Sequence, residues 1–219
     1  HSAINCRKAK ARYAYISPTY SQSKRVAWDI ATEHTRVFKP KINIAELRID
    51  FLKDKRISLY GAENVDSLRG IYLDGVVVDE VAQINPRLFT EVLRPALADR
   101  KGWILFIGTP AGANHFKTLR DRAKEADDWE LLEFKASETN ILDKAELESA
   151  RKEIGDDKYL QEFECSFAAP IEGSYYGAII NGLEKQNRVT TIPKEELSKT
   201  FVAWDLGMGD STALWVAQS

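Results

Sequence analysis

An apolar run that ends in two acids limits the possible folds most: Gly75-Val76-Val77-Val78 is followed at once by Asp79 and Glu80. β-Branched residues in succession, without polar alternation, predict a strand that is buried on both faces, as in a parallel sheet. Carboxylates beside such a strand are costly to desolvate unless a partner compensates their charge. The sequence therefore predicts two acids at the end of a central strand, with something bound to them.

Strand and helix patterns alternate around this run. The sequence predicts strands at 13–17, 76–80, 103–107 and 129–134, and a hairpin built from 46–52 and 56–60. It predicts helices over 20–38, where Val26, Ile30, His34 and Val37 have helical spacing, from about Pro86, and over 114–126, 143–153 and 156–164. We therefore expect an α/β fold with a mainly parallel sheet flanked by helices.

The pattern changes towards the end of the chain. Gly, Pro and two adjacent tyrosines over 168–177 show no clear period and indicate a linker. Beyond it, 201–205 and 212–217 predict a β-hairpin, which alone is marginally stable in water. We interpret this hairpin as the beginning of a second domain.

Composition excludes several classes of protein. The 219 residues carry a formal charge of −2, which argues against a histone-like binder but not against an enzyme that meets DNA through a local patch. The only cysteines, Cys6 and Cys165, form no CxxC motif, so a disulfide framework or a cysteine zinc site is not expected. The apolar runs are far shorter than the roughly 20 residues that span a bilayer.

The acids after the valine strand match the Walker B pattern. In that pattern the aspartate holds Mg²⁺, usually through water, and the glutamate polarises the attacking water. Asp79 and Glu80 would have these roles, because ligands of open α/β sheets lie at the carboxyl ends of the strands. The alternative is that the two acids only reach solvent and cap the next element.

Three other residues are candidates for the site, each with a simpler alternative. Thr109 follows the next apolar strand in Phe106-Ile107-Gly108-Thr109-Pro110, where motor ATPases sense the γ-phosphate, but Gly-Thr-Pro is also a common strand exit. Arg69 lies on a polar loop ten residues before Asp79 and is a candidate arginine finger or a surface ion pair. Asp205 ends an apolar strand, as the first acid of a two-metal nuclease does, whereas Asp210 lies in a turn where Asp is common.

Taken in order, these motifs resemble the large terminase subunit of tailed bacteriophages. The resemblance rests on Tyr15-Ile16-Ser17-Pro18-Thr19-Tyr20, Leu68-Arg69-Gly70, GVVVDEVAQ, FIGTP and FVAWDLGMGDSTA, and it covers essentially the whole chain. It implies an additional-strand P-loop ATPase domain over 1–167, a linker over 168–200, and the start of an RNase H-like nuclease domain over 201–219.

The resemblance also implies roles, cofactors and partners. Asp79 would hold Mg²⁺, Glu80 would be the catalytic carboxylate, Thr109 would lie in the coupling motif and Arg69 would act as a finger in trans. Asp205 would be the first ligand of a divalent nuclease metal, Mg²⁺ or Mn²⁺. The cofactor would be ATP, and the partners would be double-stranded DNA, the portal protein, the small terminase subunit and further copies in a ring, all in the host cytoplasm.

One departure from the family pattern leaves alternatives open. No GxxxxGK[ST] loop occurs, so we expect the chain to begin after the phosphate-binding loop, and to be monomeric and inactive alone. A superfamily 2 helicase-like ATPase shares the Asp-Glu box but needs a second RecA-like domain where this chain has an acidic hairpin. A non-catalytic docking module that keeps the fold without a phosphate loop is the third interpretation.

Overall fold

The computed structural model describes residues 10–168, 177–191, 193, 196, 198–206 and 213–218. The chain consists of two compact units, residues 1–174 and 175–219. In the described ranges we find no helix with the length and apolar character needed to cross a membrane.

A six-stranded sheet forms the centre of the first unit. Its strands are β1 (Arg12–Ser17), β2 (Lys41–Asn43), β3 (Arg48–Phe51), β4 (Lys55–Gly61), β5 (Gly75–Val78) and β6 (Trp103–Phe106). They lie in the order β2-β3-β4-β1-β5-β6. The four strands β4, β1, β5 and β6 are parallel, whereas β3 is antiparallel to both β2 and β4. The predicted mainly parallel α/β fold and the β3–β4 hairpin are confirmed.

Helices connect and flank these strands. A continuous helical segment comprises α1 (Tyr20–Ser23), a π-helical turn (Lys24–Trp28), α2 (Asp29–Thr35) and a 3₁₀ turn (Arg36–Phe38). A second segment joins a π-helical turn (Leu88–Leu93) to α3 (Arg94–Ala98). The remaining helices of the first unit are α4 (His115–Glu125), α5 (Ala136–Thr139), α6 (Lys144–Ile154) and α7 (Asp156–Phe163). The helices predicted at 20–38, near Pro86, and at 114–126, 143–153 and 156–164 are therefore confirmed.

Each face of the sheet has its own hydrophobic core. On one face, Ile16, Val76 and Val78 pack against the helical segment 88–98, which contributes buried residues such as Leu88 and Leu93. On the other face, a smaller core consists of Trp28, Leu47, Ile49 and Leu59. Val76 and Val78 of β5 are buried in the first core, whereas Val77, on the opposite face of the strand, is only partly buried.

The segment 129–134, which we expected to be a strand, has no strand backbone pairing. Instead, the Trp129 ring stacks on Phe106, with ring centroids 5.9 Å apart and an interplanar angle of 14°. Leu132 and Phe134 are exposed. Glu133 also pairs with Arg120. The segment is therefore held by side-chain contacts, and the prediction of a strand here is wrong.

The second unit contains a helix and a hairpin. α8 (Gly177–Lys185) lies inside the range 168–200, for which we predicted a linker. β7 (Thr200–Asp205) pairs antiparallel with β8 (Ala213–Gln218), and Asp205 lies opposite Ala213. The predicted hairpin is thus confirmed, while Asp210 lies outside the described residues.

Candidate functional site

The Asp79–Glu80 pair lies where the central parallel strands end. The amide of Asp79 donates to the carbonyl of Ile16 at the end of β1, at 2.8 Å. On the other side, the amide of Ile107 donates to the carbonyl of Val78, at 2.9 Å. Three strand ends therefore meet at one edge of the sheet, and this is the edge where α/β proteins bind ligands.

Both oxygens of the Asp79 carboxylate accept hydrogen bonds. Oδ2 accepts from the phenolic hydroxyl of Tyr15, and Oδ1 accepts from the Glu80 amide at 3.0 Å. Burial, and after it the hydrogen bond to Asp79, raises the pKa of Tyr15 above its ordinary value. The phenol is therefore protonated and available as a donor throughout the physiological pH range.

Glu80 has an unusual backbone and a perturbed carboxylate. Its φ of 51° and ψ of 45° place it in the left-handed region, which non-glycine residues seldom occupy. Burial raises the pKa of Glu80, and the nearby charges of Asp79 and Glu162 raise it further, although a hydrogen bond from Gln83 opposes this. A carboxylate with a raised pKa is a stronger base, which suits a group that has to orient water.

The end of β6 lies directly against the main chain of Glu80. The amide of Val81 donates to the Ile107 carbonyl at 3.1 Å. A Cβ atom on Gly108 would come within 3.1 Å of the Val81 nitrogen and 3.5 Å of the Glu80 Cα. Thr109, which is half-buried, follows at once. The structure thus brings Asp79, Glu80 and the Thr109 segment to the same edge of the sheet.

The beginning of α4 also holds the turn after Glu80. Asn114 caps α4 by accepting from the Phe116 amide at 3.0 Å, and its side-chain amide donates to the Ala82 carbonyl at 3.3 Å. The Nε2 atom of His115 lies 2.8 Å from the Val81 carbonyl oxygen. The sequence does not indicate this contact of His115, because a contact between a helix and a distant turn leaves no local pattern.

Arg69 lies in an exposed cluster of ion pairs. Its guanidinium contacts Asp66 at 2.8 Å and Glu91 at 2.6 Å, rather than either acid of the Asp79–Glu80 pair. Arg87 contacts the same Glu91 at 2.9 Å. Hydrogen bonds from Arg87 and Arg69 lower the pKa of Glu91 to about 2. In this conformation Arg69 is a surface ion pair, which was the simpler of the two interpretations of the sequence.

Asp205 is exposed at the end of β7, in the second unit. Across the parts of the chain that the structure describes, no group of three or more His, Cys, Asp or Glu residues is arranged to hold a metal ion. A complete two-metal site around Asp205 is therefore not formed by these residues.

The donor set at Asp79 and Glu80 fits Mg²⁺. This ion usually keeps several waters and binds proteins through one or two carboxylates together with the phosphates of a substrate. Asp79 supplies an oriented carboxylate at a ligand-binding edge, and Glu80 supplies a second one next to it.

Comparison with known structures shows which fold this is. The ATPase domain of the Thermus phage P74-26 large terminase superposes with a TM-score of 0.66 at 21% identity, over 76% of this chain and 80% of that domain. The large terminase of another thermophilic bacteriophage, in complex with ADP, superposes with a TM-score of 0.61 at 18% identity, over 97% of this chain and 53% of that one. The fold is therefore that of large terminase ATPase domains.

Sequence comparison gives the family. Residues 3–185 match the family "Terminase large subunit, T4likevirus-type, N-terminal", and the chain belongs to this family. It is 30% identical over 121 residues to the large terminase subunit of Thermus phage G20c, a match that covers 46% of this chain and 25% of that protein. The chain thus aligns with about a quarter of this relative. Membership decides between the terminase and helicase-like interpretations in favour of the terminase.

Proposed function

We propose that this chain provides the ATP-hydrolysing part of a terminase large subunit, a motor that translocates viral double-stranded DNA into a procapsid. The observation that carries the proposal is the Asp79–Glu80 pair at the carboxyl end of β5, in a chain that belongs to the terminase family. The complex of the thermophilic bacteriophage terminase with ADP supports a nucleotide as the ligand of this fold.

In this proposal the two acids have different roles. Asp79, whose carboxylate is held by Tyr15 and by the Glu80 amide, binds the Mg²⁺ that accompanies ATP. Mg²⁺, when bound, neutralises negative charge that develops on the transferred phosphoryl group. Glu80, with its raised pKa, orients the attacking water and accepts its proton. Thr109 follows Gly108, which closely approaches the main chain of Glu80, and in this proposal it couples hydrolysis to movement.

Substitution of Glu80 tests the catalytic assignment. In the protein as its gene encodes it, Glu80→Gln is expected to lower ATP turnover by at least about 100-fold, the usual contribution of a positioned acid or base. Binding of a fluorescent ATP analogue should be retained, because the amide keeps the shape of the side chain. Glu148→Gln, an exposed glutamate on α6, is the matched control. Normal turnover in Glu80→Gln would refute the assignment and favour a docking module.

Arg69 is proposed to act on the nucleotide of a neighbouring subunit after leaving Asp66 and Glu91. Arg69→Ala should lose turnover, and mixing it with Glu80→Gln subunits should restore part of it, because one interface then combines an intact Glu80 with an intact Arg69. Arg87→Ala, which alters the same ion-pair cluster, is the control. Mixed oligomers that remain inactive would exclude action in trans.

The remaining assignments concern the whole motor. We propose that the subunits form a ring that binds the portal protein and the small terminase subunit in the host cytoplasm. We also propose that a C-terminal nuclease domain cuts the DNA with divalent metal, Mg²⁺ or Mn²⁺, held in part by Asp205. Asp205→Ala in the whole gene product should abolish DNA cleavage and leave ATP turnover intact; cleavage at the normal rate would remove Asp205 from the metal site.

A further inference from the structure

Tyr15 contacts the acid that we propose to bind the metal, although the sequence pattern gives it no role. It lies on β1, opposite Val77 of the adjacent parallel strand β5. Side chains two residues apart on a strand point to the same face. The Tyr15 ring therefore lies beside Val77 on the face towards which Asp79 points, and its hydroxyl reaches the Asp79 Oδ2 atom.

Asp79 is held by three hydrogen bonds, two of which reach its carboxylate. Its Oδ2 accepts from Tyr15, its Oδ1 accepts from the Glu80 amide at 3.0 Å, and its own amide donates to Ile16 at 2.8 Å. Two of these bonds are made by the main chain near the acid itself. Tyr15 is the one side chain among the described contacts that sets the rotation of the carboxylate from a neighbouring strand.

We propose that Tyr15 is a positioning residue that orients the Asp79 carboxylate for Mg²⁺ and nucleotide. This inference rests on the proposed function of Asp79. Each carboxylate oxygen accepts one hydrogen bond and so keeps acceptor capacity for a metal ion. Groups that hold metal ligands through hydrogen bonds in this way typically contribute about 10- to 100-fold to metal affinity or activity.

The contribution of the Tyr15 hydroxyl can be tested separately from the packing of the Tyr15 ring. Tyr15→Phe removes one oxygen and keeps the ring against the core of Trp28, Leu47, Ile49 and Leu59, with which it packs. Tyr13→Phe is the matched control, because Tyr13 lies two residues earlier on the same face of β1 and packs on Trp103, with ring centroids 6.2 Å apart. Both variants lose a phenolic oxygen from the same strand.

The experiment measures metal binding directly, on the protein as its gene encodes it. Electron paramagnetic resonance follows the affinity for Mn²⁺ at saturating ADP. Tyr15→Phe is expected to weaken Mn²⁺ binding by about tenfold, whereas Tyr13→Phe should bind it as the wild type does. In ATP turnover, the Mg²⁺ concentration for half-maximal rate should rise by a similar factor, and excess Mg²⁺ should recover the maximal rate. A purely structural defect would not be rescued by metal.

A double substitution shows whether Tyr15 acts through Asp79. Asp79→Ala should weaken Mn²⁺ binding strongly, and adding Tyr15→Phe should then have no further effect. If Asp79→Ala weakens binding but Tyr15→Phe equals the Tyr13→Phe control, the inference about Tyr15 is overturned while the proposed function stands. If Asp79→Ala leaves Mn²⁺ binding unchanged, both the metal assignment and the role of Tyr15 are overturned.

Discussion

Glu80 is held in a backbone conformation that it does not favour by itself. The left-handed region costs a non-glycine residue about 1–2 kcal/mol. The conformation persists because the next amide, that of Val81, is tied to the Ile107 carbonyl and because Gly108 lets β6 approach closely. Strain of this kind is found where the surrounding structure fixes a functional group. The direction of the Glu80 side chain is therefore set by β6.

Gly108→Ala should disturb the main chain of Glu80, against which Gly108 lies. The added methyl group would lie 3.1 Å from the Val81 nitrogen, so the main chain of residues 80–81 has to move. We expect a loss of about 1–3 kcal/mol in the free energy of unfolding from overpacking. ATP turnover should fall by a smaller factor than the roughly 100-fold that a misplacement of about 1 Å costs, since the required shift is a few tenths of an ångström. Urea titration and steady-state turnover measure the two effects.

Gly182→Ala is the control for this substitution. A Cβ at Gly182, on α8, meets no atom within 4 Å, so alanine should stabilise the helix by about 0.5–1 kcal/mol without changing turnover. Unchanged turnover in Gly108→Ala would show that the β6 exit does not position Glu80.

The sequence predicted the two acids of the site, Asp79 and Glu80, but not the residues that hold them in place. Asp79, Glu80 and Thr109 were placed at one edge because the carboxyl ends of parallel strands meet there. Tyr15 and His115 were not predicted, because their bonds join elements that are distant along the chain. Local patterns contain no information about which side chain of the adjacent strand reaches a given acid.

Among the elements, the helical segment that follows β1 shows what periodicity can and cannot establish. The spacing of Val26, Ile30 and Val37 predicted the helix correctly, yet all three side chains are exposed. The segment buries Trp28 instead, against Leu47, Ile49 and Leu59. A tryptophan buries more apolar area than a valine, so it determines which side of the helix faces the sheet. The spacing of apolar residues identifies a helix. Which face of the helix is buried depends on the surface against which it packs.

The sequence did not predict the strand β2, and it predicted a strand over 129–134 that is not formed. β2 has three residues, which is too short for alternation to be recognised. Residues 129–134 alternate over a longer stretch, but Trp129 packs on Phe106 and no strand pairs with the segment. Strand formation requires a neighbouring strand, and a single sequence does not specify one.

The beginning of α4 joins a helix cap to the site, so its removal should have two effects. Asn114→Ala loses the N-cap, which costs about 1 kcal/mol of stability. It also removes the bond from Asn114 to the Ala82 carbonyl and so loosens the turn after Glu80. We expect lower stability and a severalfold reduction in ATP turnover, as measured by thermal unfolding and steady-state assays.

Asp143→Ala separates these two effects. Asp143 caps α6 by accepting from the Glu146 amide at 2.8 Å, so its removal should cost a similar stability and leave turnover unchanged. Equal turnover in the two variants would mean that the α4 cap has only a structural role.

For the whole molecule, the ion-pair cluster around Glu91 gives global stability a dependence on pH. The pKa of Glu91 is lowered from 4.5 to about 2 by Arg87 and Arg69, so the folded state binds the proton less readily than the unfolded chain. Its contribution to stability is present above about pH 4.5 and is lost as the pH falls towards 2. Acidification should therefore weaken the attachment of the loop that carries Arg69.

The dependence of stability on pH can be measured by comparing the wild type with the variant Glu91→Gln. The urea midpoint of the wild type should exceed that of Glu91→Gln at about pH 6, and the gap should close between pH 4.5 and 2. Added salt should reduce the gap at the higher pH, because exposed charges are screened. A gap that is independent of both pH and salt would show that Glu91 acts through packing alone.

The strand order also fixes how the sheet can be assembled during synthesis. β1 leaves the ribosome before the other five strands of its sheet, yet it ends up between β4 and β5. On that side β5 pairs with β1 and β6 pairs with β5, so these three strands lie side by side in the order in which they are synthesised. The edge that carries Asp79 is completed only when residues 107–115 have emerged to close over Glu80. A nascent chain that has made the two acids therefore has no finished site until about 35 further residues have been translated.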